Sequence, residues 1–567
     1  MIKILGIEAT RQVEAAADAA GYSYAAMMES AGQAVAERAL ALIADRPQPK
    51  ITILVGSGNN GGDGLVAGRL IAQANPQIQV RFYLLTRREE SDAMFAAALE
   101  AGLFMAYAED DHDNRVLRNM VASADVIIDA LFGIRARLPI KDAALKILRG
   151  AKQALDERAA VQRNHFMSID PTAPGQVEHP PKQYILAVDC PSGLNCDTGE
   201  IDKNALGADE TITFIAAKPG LLTFPGAAAV GRLRVAPLEM PEGIEVLEKA
   251  SSILLDGDTV QHLLPARPAD AHKGTFGKVM IVAGSINYTG APALAAKGVY
   301  RSGAGLVTVG APAPVIGSLS AHILEATWLL LAHDLGVLTE PAASTIREEL
   351  KNCKALLIGP GLGQEETTRN MLRALLAPKV AQAKRTIGFG LSSEEDKTKS
   401  DDTSLPPLVI DADGLNLLSQ LENWWTLLPK NTILTPHPGE MARLCGTETT
   451  EVQSKRLELA KSKAKAWKVV LILKGANTII AAPDGKLAYS PFKTDALATA
   501  GTGDVLAGLT AGLLAQGLTA FDAAQVAVYL HGLAGVLSAE KSATGRSVIA
   551  SDVLDALPAA FATISTH

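Results

Sequence analysis

The chain has 567 residues, 48% hydrophobic, 20% charged and only 4% aromatic, with 49 glycines and 29 prolines. That composition excludes a disordered or collagen-like chain, and the length excludes a single small module while leaving room for two large α/β domains. The net charge of −8, from 53 Lys and Arg against 61 Asp and Glu, comes without a basic run that could track phosphates, so nucleic acid is not an expected partner.

The N-terminus through Tyr24 mixes acids and bases and lacks a continuous apolar core, so no signal peptide is expected. Short, continuous apolar runs then alternate with longer helical stretches, the pattern of a parallel sheet covered by helices on both faces. In the first half the expected strands are Ile51 to Val55, Val80 to Leu85, Val126 to Ile128, Tyr184 to Val188, Thr211 to Ile215 and Leu233 to Val235. Gly56-Ser-Gly-Asn-Asn-Gly-Gly-Asp-Gly64 follows the first of them and leads into a helix. Its GxGxxG spacing permits a tight turn with amides facing an anion, but no acid closes the second strand, which argues against a plain dinucleotide-binding turn. Asn59, Asn60 and Asp63 instead offer side-chain oxygens. Asp129-Ala-Leu-Phe-Gly133 and Asp189-Cys-Pro-Ser-Gly193 also follow strands, at the end where ligands gather. Asn60, Asp129 and Ser192 can converge there as oxygen ligands of a monovalent cation, leaving Asp189 as an acid or base; each Asp can equally cap the next helix.

Pro237 to Gly243 carries the turn formers of a boundary, placing the domains at 1–240 and 241–567. Glu157 to Lys182 and Ser392 to Pro407, rich in charge and proline, read as surface insertions. The second half continues with strands at Lys278 to Val282, Leu306 to Val309, Ala355 to Ile358, Leu408 to Ile410, Thr432 to Leu434, Val469 to Leu473 and Thr478 to Ala481. Ala500-Gly-Thr-Gly-Asp504 opens the next helix. Its glycines suit an anion-binding turn and Asp504 suits a base for a substrate hydroxyl, the positioning task of a small-molecule kinase. Lys474-Gly-Ala-Asn-Thr478 can wrap a nucleotide, and His437 is held between two prolines. The apolar stretch Val505 to Ala539 is interrupted by Gly512, Gly517, Asp522 and His531, so buried helices rather than a membrane span are expected. Cys190, Cys196, Cys353 and Cys445 form no CxxC, which fits reduced thiols in a cytoplasm.

The NNGGDG, DALFG and DxPSG segments, with Met28-Glu-Ser-Ala-Gly32, make residues 1 to 240 resemble NAD(P)H-hydrate epimerase domains. The resemblance implies a Rossmann-like αβα fold, hydrated-dinucleotide contacts at Asn59, Asn60, Gly61, Gly62, Asp63 and Gly133, potassium on Asn60, Asp129 and Ser192, and Asp189 at the reacting centre. One departure is Gly133-Ile-Arg-Ala-Arg-Leu-Pro139, where the family continues with Thr-Gly-Leu. His272-Lys-Gly-Thr-Phe-Gly277, Gly284-Ser285, Tyr288 to Pro292, Arg301 to Gly305, Gly359-Pro-Gly-Leu-Gly363 and the GTGD turn make the second half resemble ADP- or ATP-dependent NAD(P)H-hydrate dehydratases, of ribokinase-like αβα fold. That resemblance implies adenine-nucleotide contacts at Lys474, Gly475, Ala476, Asn477, Thr478 and Gly503. It puts Ala291, Gly361, His437 and Asp504 at the hydrated nicotinamide, with Asp504 catalytic and Mg2+ on the phosphates. The expected partners are hydrated NADH and NADPH, ADP or ATP, and further copies of the chain in a homo-oligomer, with no membrane among them. The competing reading is a vitamin-precursor kinase with a non-catalytic N-terminal domain.

Overall fold

Strands that are apolar on both faces need cover on both faces, and the computed structural model shows that arrangement twice. It describes residues 1–134, 136–163, 183–377 and 405–565. Contacts divide the chain between a unit of Ile2–Ala250 and one of Ser251–His567. A boundary at 240 falls short of that division for a physical reason. Ile244 is buried in the first unit's core and Val246, Leu247 and Ala250 pack on the same cluster, so residues 241–250 complete the first unit.

The first unit's sheet is entirely parallel, in the spatial order Phe104–Tyr107, Gln79–Leu84, Lys50–Val55, Val126–Ala130, Tyr184–Val188, Glu210–Phe214, Arg232–Ala236. The chain thus begins mid-sheet, builds outward, and returns to build the other half. This is the doubly wound Rossmann-like order, and the reversal between Lys50–Val55 and Val126–Ala130 opens a crevice at the carboxyl ends. Strand alternation sorts the two faces. Ile51, Ile53 and Val55 join a core with helices Tyr24–Leu42 and Asn59–Ala74, while Leu54, Tyr83 and Ile127 pack on Arg115–Ala122 and Asp142–Arg163. A Cβ on Gly32 would stand 2.4 Å from Val66, so this glycine lets the first two of those helices touch.

The second unit's sheet runs Ser252–Leu254, Leu487–Tyr489, Ile479–Ala481, Val470–Leu473, Thr432–Leu434, Leu408–Ile410, Ala355–Ile358, Lys278–Val282, Leu306–Ala311, Thr327–Leu330. Neighbours are parallel except that Ile479–Ala481 is antiparallel to both of its own. Val279, Ile281 and Leu357 face helices Gly290–Arg301, Thr502–Ala515, Ala520–Lys541 and Ala550–Ser565, and Met280, Val282 and Leu356 are as completely buried on the other face. The α/β class of both halves is therefore as expected. Val505 to Ala539 divides into two core helices, of which Ala520–Lys541 is long and apolar enough to cross a membrane by composition, yet has 67% of its apolar window buried.

The strands absent from the sequence reading lie at the sheets' margins or are very short: Ile2–Lys3, Phe104–Tyr107, Ser252–Leu254, Thr327–Leu330, His333–Asp334, Val337–Leu338 and Leu487–Tyr489. Glu157 to Arg163 continues the helix that begins at Asp142, so the first expected insertion starts later than its charge suggests. Residues 164–182 and 378–404, with the rest of the first expected insertion and all of the second but residues 405–407, lie outside the described residues, as does Arg135.

Candidate active sites

In the first unit the glycine turn sits at the switch point. A Cβ on Gly56 would come within 1.8 Å of the Leu131 carbonyl, so only glycine lets the two strand ends approach. Where a dinucleotide fold carries an acid after its second strand, this chain carries Arg88, which donates to the carbonyls of Gly56 (3.1 Å) and Gly58 (2.6 Å) and pairs with Asp92. The turn is thereby clamped from the side. The helix Asn59–Ala74 then presents Asn60, which is buried with neither amide oxygen nor amide nitrogen hydrogen-bonded, and Asp63, whose carboxyl is pushed well up by burial and by the charge of Asp189.

Asp189 follows its strand in a left-handed conformation, φ 63°, that turns the chain out of the sheet. Its carboxylate accepts from Lys218 Nζ at 2.7 Å and Thr213 Oγ1 at 2.9 Å. Lys218 is 1% exposed and also donates to Thr213 Oγ1 (2.7 Å) and the Phe214 carbonyl (3.1 Å). A Cβ on Gly133 would stand 3.1 Å from Asn60 Oδ1 and 3.3 Å from Asp189 Oδ2, which brings all three loops together. They line a cavity of about 260 Å³ with Asn59, Asp63, Ile134 and Lys218. Gly61 and Gly62 do not line it; they pack against the Gly56 carbonyl and Met28.

Asp129 is fully buried, and burial raises its pKa against hydrogen bonds from Ser192 N (2.8 Å), Ser192 Oγ (2.6 Å) and Leu131 N (3.4 Å). No cationic side chain is among the influences on it. A buried carboxylate without a counter-charge, and an unpartnered amide at the start of the helix Asn59–Ala74, are oxygen donors of the kind a hard monovalent cation takes, so these residues fit potassium.

In the second unit the carboxyl ends of Leu408–Ile410, Thr432–Leu434 and Val470–Leu473 supply Asp411, His437 and Lys474. Lys474 Nζ donates to Asp411 Oδ1 at 2.7 Å and lies 3.7 Å from Glu440; burial works to lower its pKa, but Asp411 and Glu440 hold it above its ordinary value. Gly503 faces this ammonium closely: a Cβ there would stand 3.3 Å from Nζ. Asp504, next on the same helix, is raised to about 7, first by burial and then by Asp411, with Lys474 opposing. His437 caps the helix Pro438–Cys445, its Nδ1 accepting from Gly439 N at 3.0 Å, while burial and then Lys474 lower its pKa. A neutral imidazole so bonded keeps its proton on Nε2.

The Gly359–Gly363 loop is anchored by Gly363 N donating to Asp413 (3.0 Å) and by Ser285 Oγ donating to the Gly361 carbonyl (2.9 Å). A Cβ on Gly361 would meet Tyr288 at 2.8 Å and Ala291 at 3.1 Å, so Ala291 and Gly361 adjoin. A separate cavity of about 200 Å³ is lined by Lys474, Gly475, Ala476, Thr478, Gly503, Phe492 and His531. Asn477 is not in that lining. Its φ of 50° turns it inward, where Nδ2 donates to the Ser490 carbonyl at 3.0 Å.

Residues 24–220 match the family described as YjeF-related protein N-terminus, and residues 279–559 match NAD(P)H-hydrate dehydratase. A bifunctional NAD(P)H-hydrate repair enzyme of Moorella thermoacetica is 35% identical over 94% of this chain and 91% of its own length. The chain belongs to the bifunctional NAD(P)H-hydrate repair enzymes. Members from Coxiella burnetii (32% identical, 96% of each chain) and Escherichia coli (31%, 96% of this chain and 90% of that one) are similar to it as well. Among solved structures, the Bacillus subtilis ADP/ATP-dependent NAD(P)H-hydrate dehydratase, co-crystallised with ATP and Mg2+, is 31% identical over 55% of this chain and 97% of its own, with a TM-score of 0.44.

Sequence reasoning about this repair enzyme passed over Lys218, Thr213 and Arg88 in the epimerase domain, and His531 in the dehydratase domain except as a break in an apolar run. His531 Nε2 contacts the Thr502 carbonyl at 2.9 Å, and burial lowers its pKa to about 4, so a neutral imidazole braces the GTGD turn. A histidine in the mostly apolar stretch between Gln525 and Ser538 was the available signal for it. Lys218 offered a similar one, a lysine directly following a buried strand and its extension.

Proposed function

We propose that the chain repairs hydrated NADH and NADPH by joining an epimerase of the R and S hydrates to a dehydratase that consumes the S form with ADP or ATP. The observation that carries the dehydratase reading is Asp504, a carboxylate poised near neutrality beside Gly503 and Lys474 at a helix N-terminus. Asp504 takes the proton of the hydroxyl on ring carbon 6 as that oxygen attacks the terminal phosphoryl, whose former bridging oxygen leaves with the nucleotide. The ring nitrogen's lone pair then expels phosphate from carbon 6, and loss of a proton from carbon 5 restores the dihydronicotinamide. Lys474 and the amides of the GTGD turn face the phosphates, Ala476 and Thr478 the rest of the nucleotide, and His437, Gly361 and Ala291 the hydrated ring. Mg2+ neutralises phosphate charge in such transfers. Among the described residues no three His, Cys, Asp or Glu side chains are grouped to hold a metal, so the ion fits here as one carried on the nucleotide phosphates.

In the epimerase domain two neighbouring carboxyl groups have different tasks. Asp63, whose carboxyl burial and Asp189 push well up, protonates the departing hydroxyl, which leaves carbon 6 as water while the ring nitrogen forms a C=N bond. Asp189 takes the proton of the water that adds to the opposite face. Asn60, Asp129 and Ser192 would hold potassium, which supplies positive charge beside these carboxylates. Replacing potassium by lithium is expected to slow epimerisation at least tenfold while leaving dehydration of pure S hydrate unchanged, read by chiral separation of the hydrates; equal rates in both salts would remove the cation from the site.

The deciding test is recovery of NADH absorbance from a mixture of both epimers. Complete ADP- or ATP-dependent recovery is expected. Recovery that stops when the S epimer is exhausted would mean that the altered loop at Ile134–Pro139 has impaired the epimerase, and none with either nucleotide would overturn the dehydratase reading. The reduced cysteines support a cytoplasmic protein, with all four free in the structure; the expected homo-oligomer is tested by light scattering.

A further inference from the structure

Asp411 sits at the centre of the dehydratase site, yet nothing in the reaction scheme uses it. It is 1% exposed, and its Oδ1 accepts from both Lys474 Nζ and Thr435 Oγ1 at 2.7 Å. Its Oδ2 lies 3.8 Å from the point where a Cβ on Gly503 would stand, the same point that Lys474 Nζ approaches to 3.3 Å. Two backbone features hold it there. Gly359, at φ 133°, leaves the Asp411 carbonyl a space that a Cβ would enter to 1.8 Å, and Ala412 adopts φ 50°, ψ −122°, a conformation L-residues rarely take and one that persists only where surrounding structure enforces it.

A lysine ammonium is a point charge on a flexible four-carbon stem, so by itself it does not specify where a phosphate binds. We propose that Asp411 is a positioning residue of the phosphoryl-transfer site, holding the Lys474 ammonium against the first turn of the helix that carries Gly503 and Asp504. The Thr435 hydroxyl, donating to the same Oδ1, fixes the carboxylate. This rests on reading the site as a nucleotide-dependent dehydratase.

A merely structural ion pair would contribute to folding and nothing else. Asp411 does more, because its charge also acts on Asp504. Lys474, Asp413 and Glu440 are the other charged groups that bear on that carboxyl, Lys474 lowering its pKa and the two acids raising it. Removing the Asp411 charge favours the ionised form of Asp504, so the acidic limb of the kcat profile must move to lower pH.

The experiment compares full-length wild type, Asp411→Asn and Thr435→Val by calorimetric titration with ADP and Mg2+, steady-state kinetics on S hydrate across pH, and thermal melting. Asp411→Asn is expected to raise the ADP dissociation constant about tenfold and lower kcat about a hundredfold, the scale of a displaced catalytic group, with its acidic limb shifted down. An unmoved limb or an unchanged ADP affinity overturns the proposal, however far activity falls. Should Asp411→Asn not fold, Thr435→Val decides. It loosens the carboxylate while keeping its charge, so it must weaken ADP binding and leave the limb in place, and unchanged ADP binding overturns the proposal. If wild type dehydrates no hydrate while Asp411→Asn still weakens ADP binding, the dehydratase reading fails and the positioning role stands.

Discussion

Asp504→Asn is expected to lower nucleotide-dependent dehydration by about 10² to 10⁴, the usual contribution of a positioned base, and to make the enzyme more stable at pH 8. Both effects follow from one environment. Burial, Asp411, Asp413 and Glu440 raise this carboxyl to about 7 despite Lys474, so the ionised form that does the chemistry is the one the fold disfavours. Wild-type kcat should therefore rise with pH through about 7 and level off above it. A group whose folded pKa lies above its unfolded value gives stability that is complete below the unfolded pKa and lost as pH climbs through the folded one. For Asp504 the loss runs from about 4 to about 7. Asparagine has no charge to bury, so the variant should melt above wild type at pH 8 and the gap should narrow toward pH 5. Melting curves at the two pH values, with single-turnover kinetics on S hydrate, check both. Full turnover by the variant would remove Asp504 from the reaction.

The architecture was legible because its central strands are buried on both faces and so read as short, unbroken apolar runs. Tyr184–Val188, Lys278–Val282 and Ala355–Ile358 stand where those runs placed them. Phe104–Tyr107 was missed because an edge strand keeps one side wet: Phe104 is 54% exposed, and the segment carries no continuous apolar signal. The chemistry followed the same division. Asp189, Lys474 and the turn from Gly56 to Gly64 lie immediately after strands, where α/β sheets gather ligands, and needed only the strand ends to be found, whereas Asp504 was marked by the glycines that open the helix Thr502–Ala515. Lys218 reaches Asp189 across 29 residues of sequence, and Arg88 reaches the glycine turn across 30 to 32. Such partners are visible only once strands have been laid side by side. The inward turn of Asn477 was equally hidden, since a left-handed residue inside KGANT changes which side chains face the nucleotide cavity without changing the motif.

The pair of Asp189 and Lys218 leads to a second large effect, in which stability and activity separate. Lys218 is 1% exposed and the Asp189 side chain 12%, so each is the other's counter-charge in a setting with little water. Asp189→Asn leaves a buried ammonium without its carboxylate, and the cost expected for breaking such a pair from one side is about 3–5 kcal/mol. Lys218→Met leaves the carboxylate alone at a similar cost. Changing both removes both charges, and a buried pair replaced by groups of similar volume is often neutral in stability. The double variant should accordingly melt close to wild type while epimerising R hydrate no faster than the spontaneous reaction, and it should still dehydrate pure S hydrate, since the dehydratase domain has its own core. Thermal melting and chiral separation of the hydrates make the comparison. If the double variant regained wild-type epimerisation, the pair would be holding the fold and neither residue would touch the reacting carbon; if stability stayed lost, the charges would be interacting with groups beyond Asp63, Thr213 and the Phe214 carbonyl. The expected result, stability restored with epimerisation absent, assigns the buried charge at Asp189 to the reaction and the ammonium of Lys218 to keeping that charge in place.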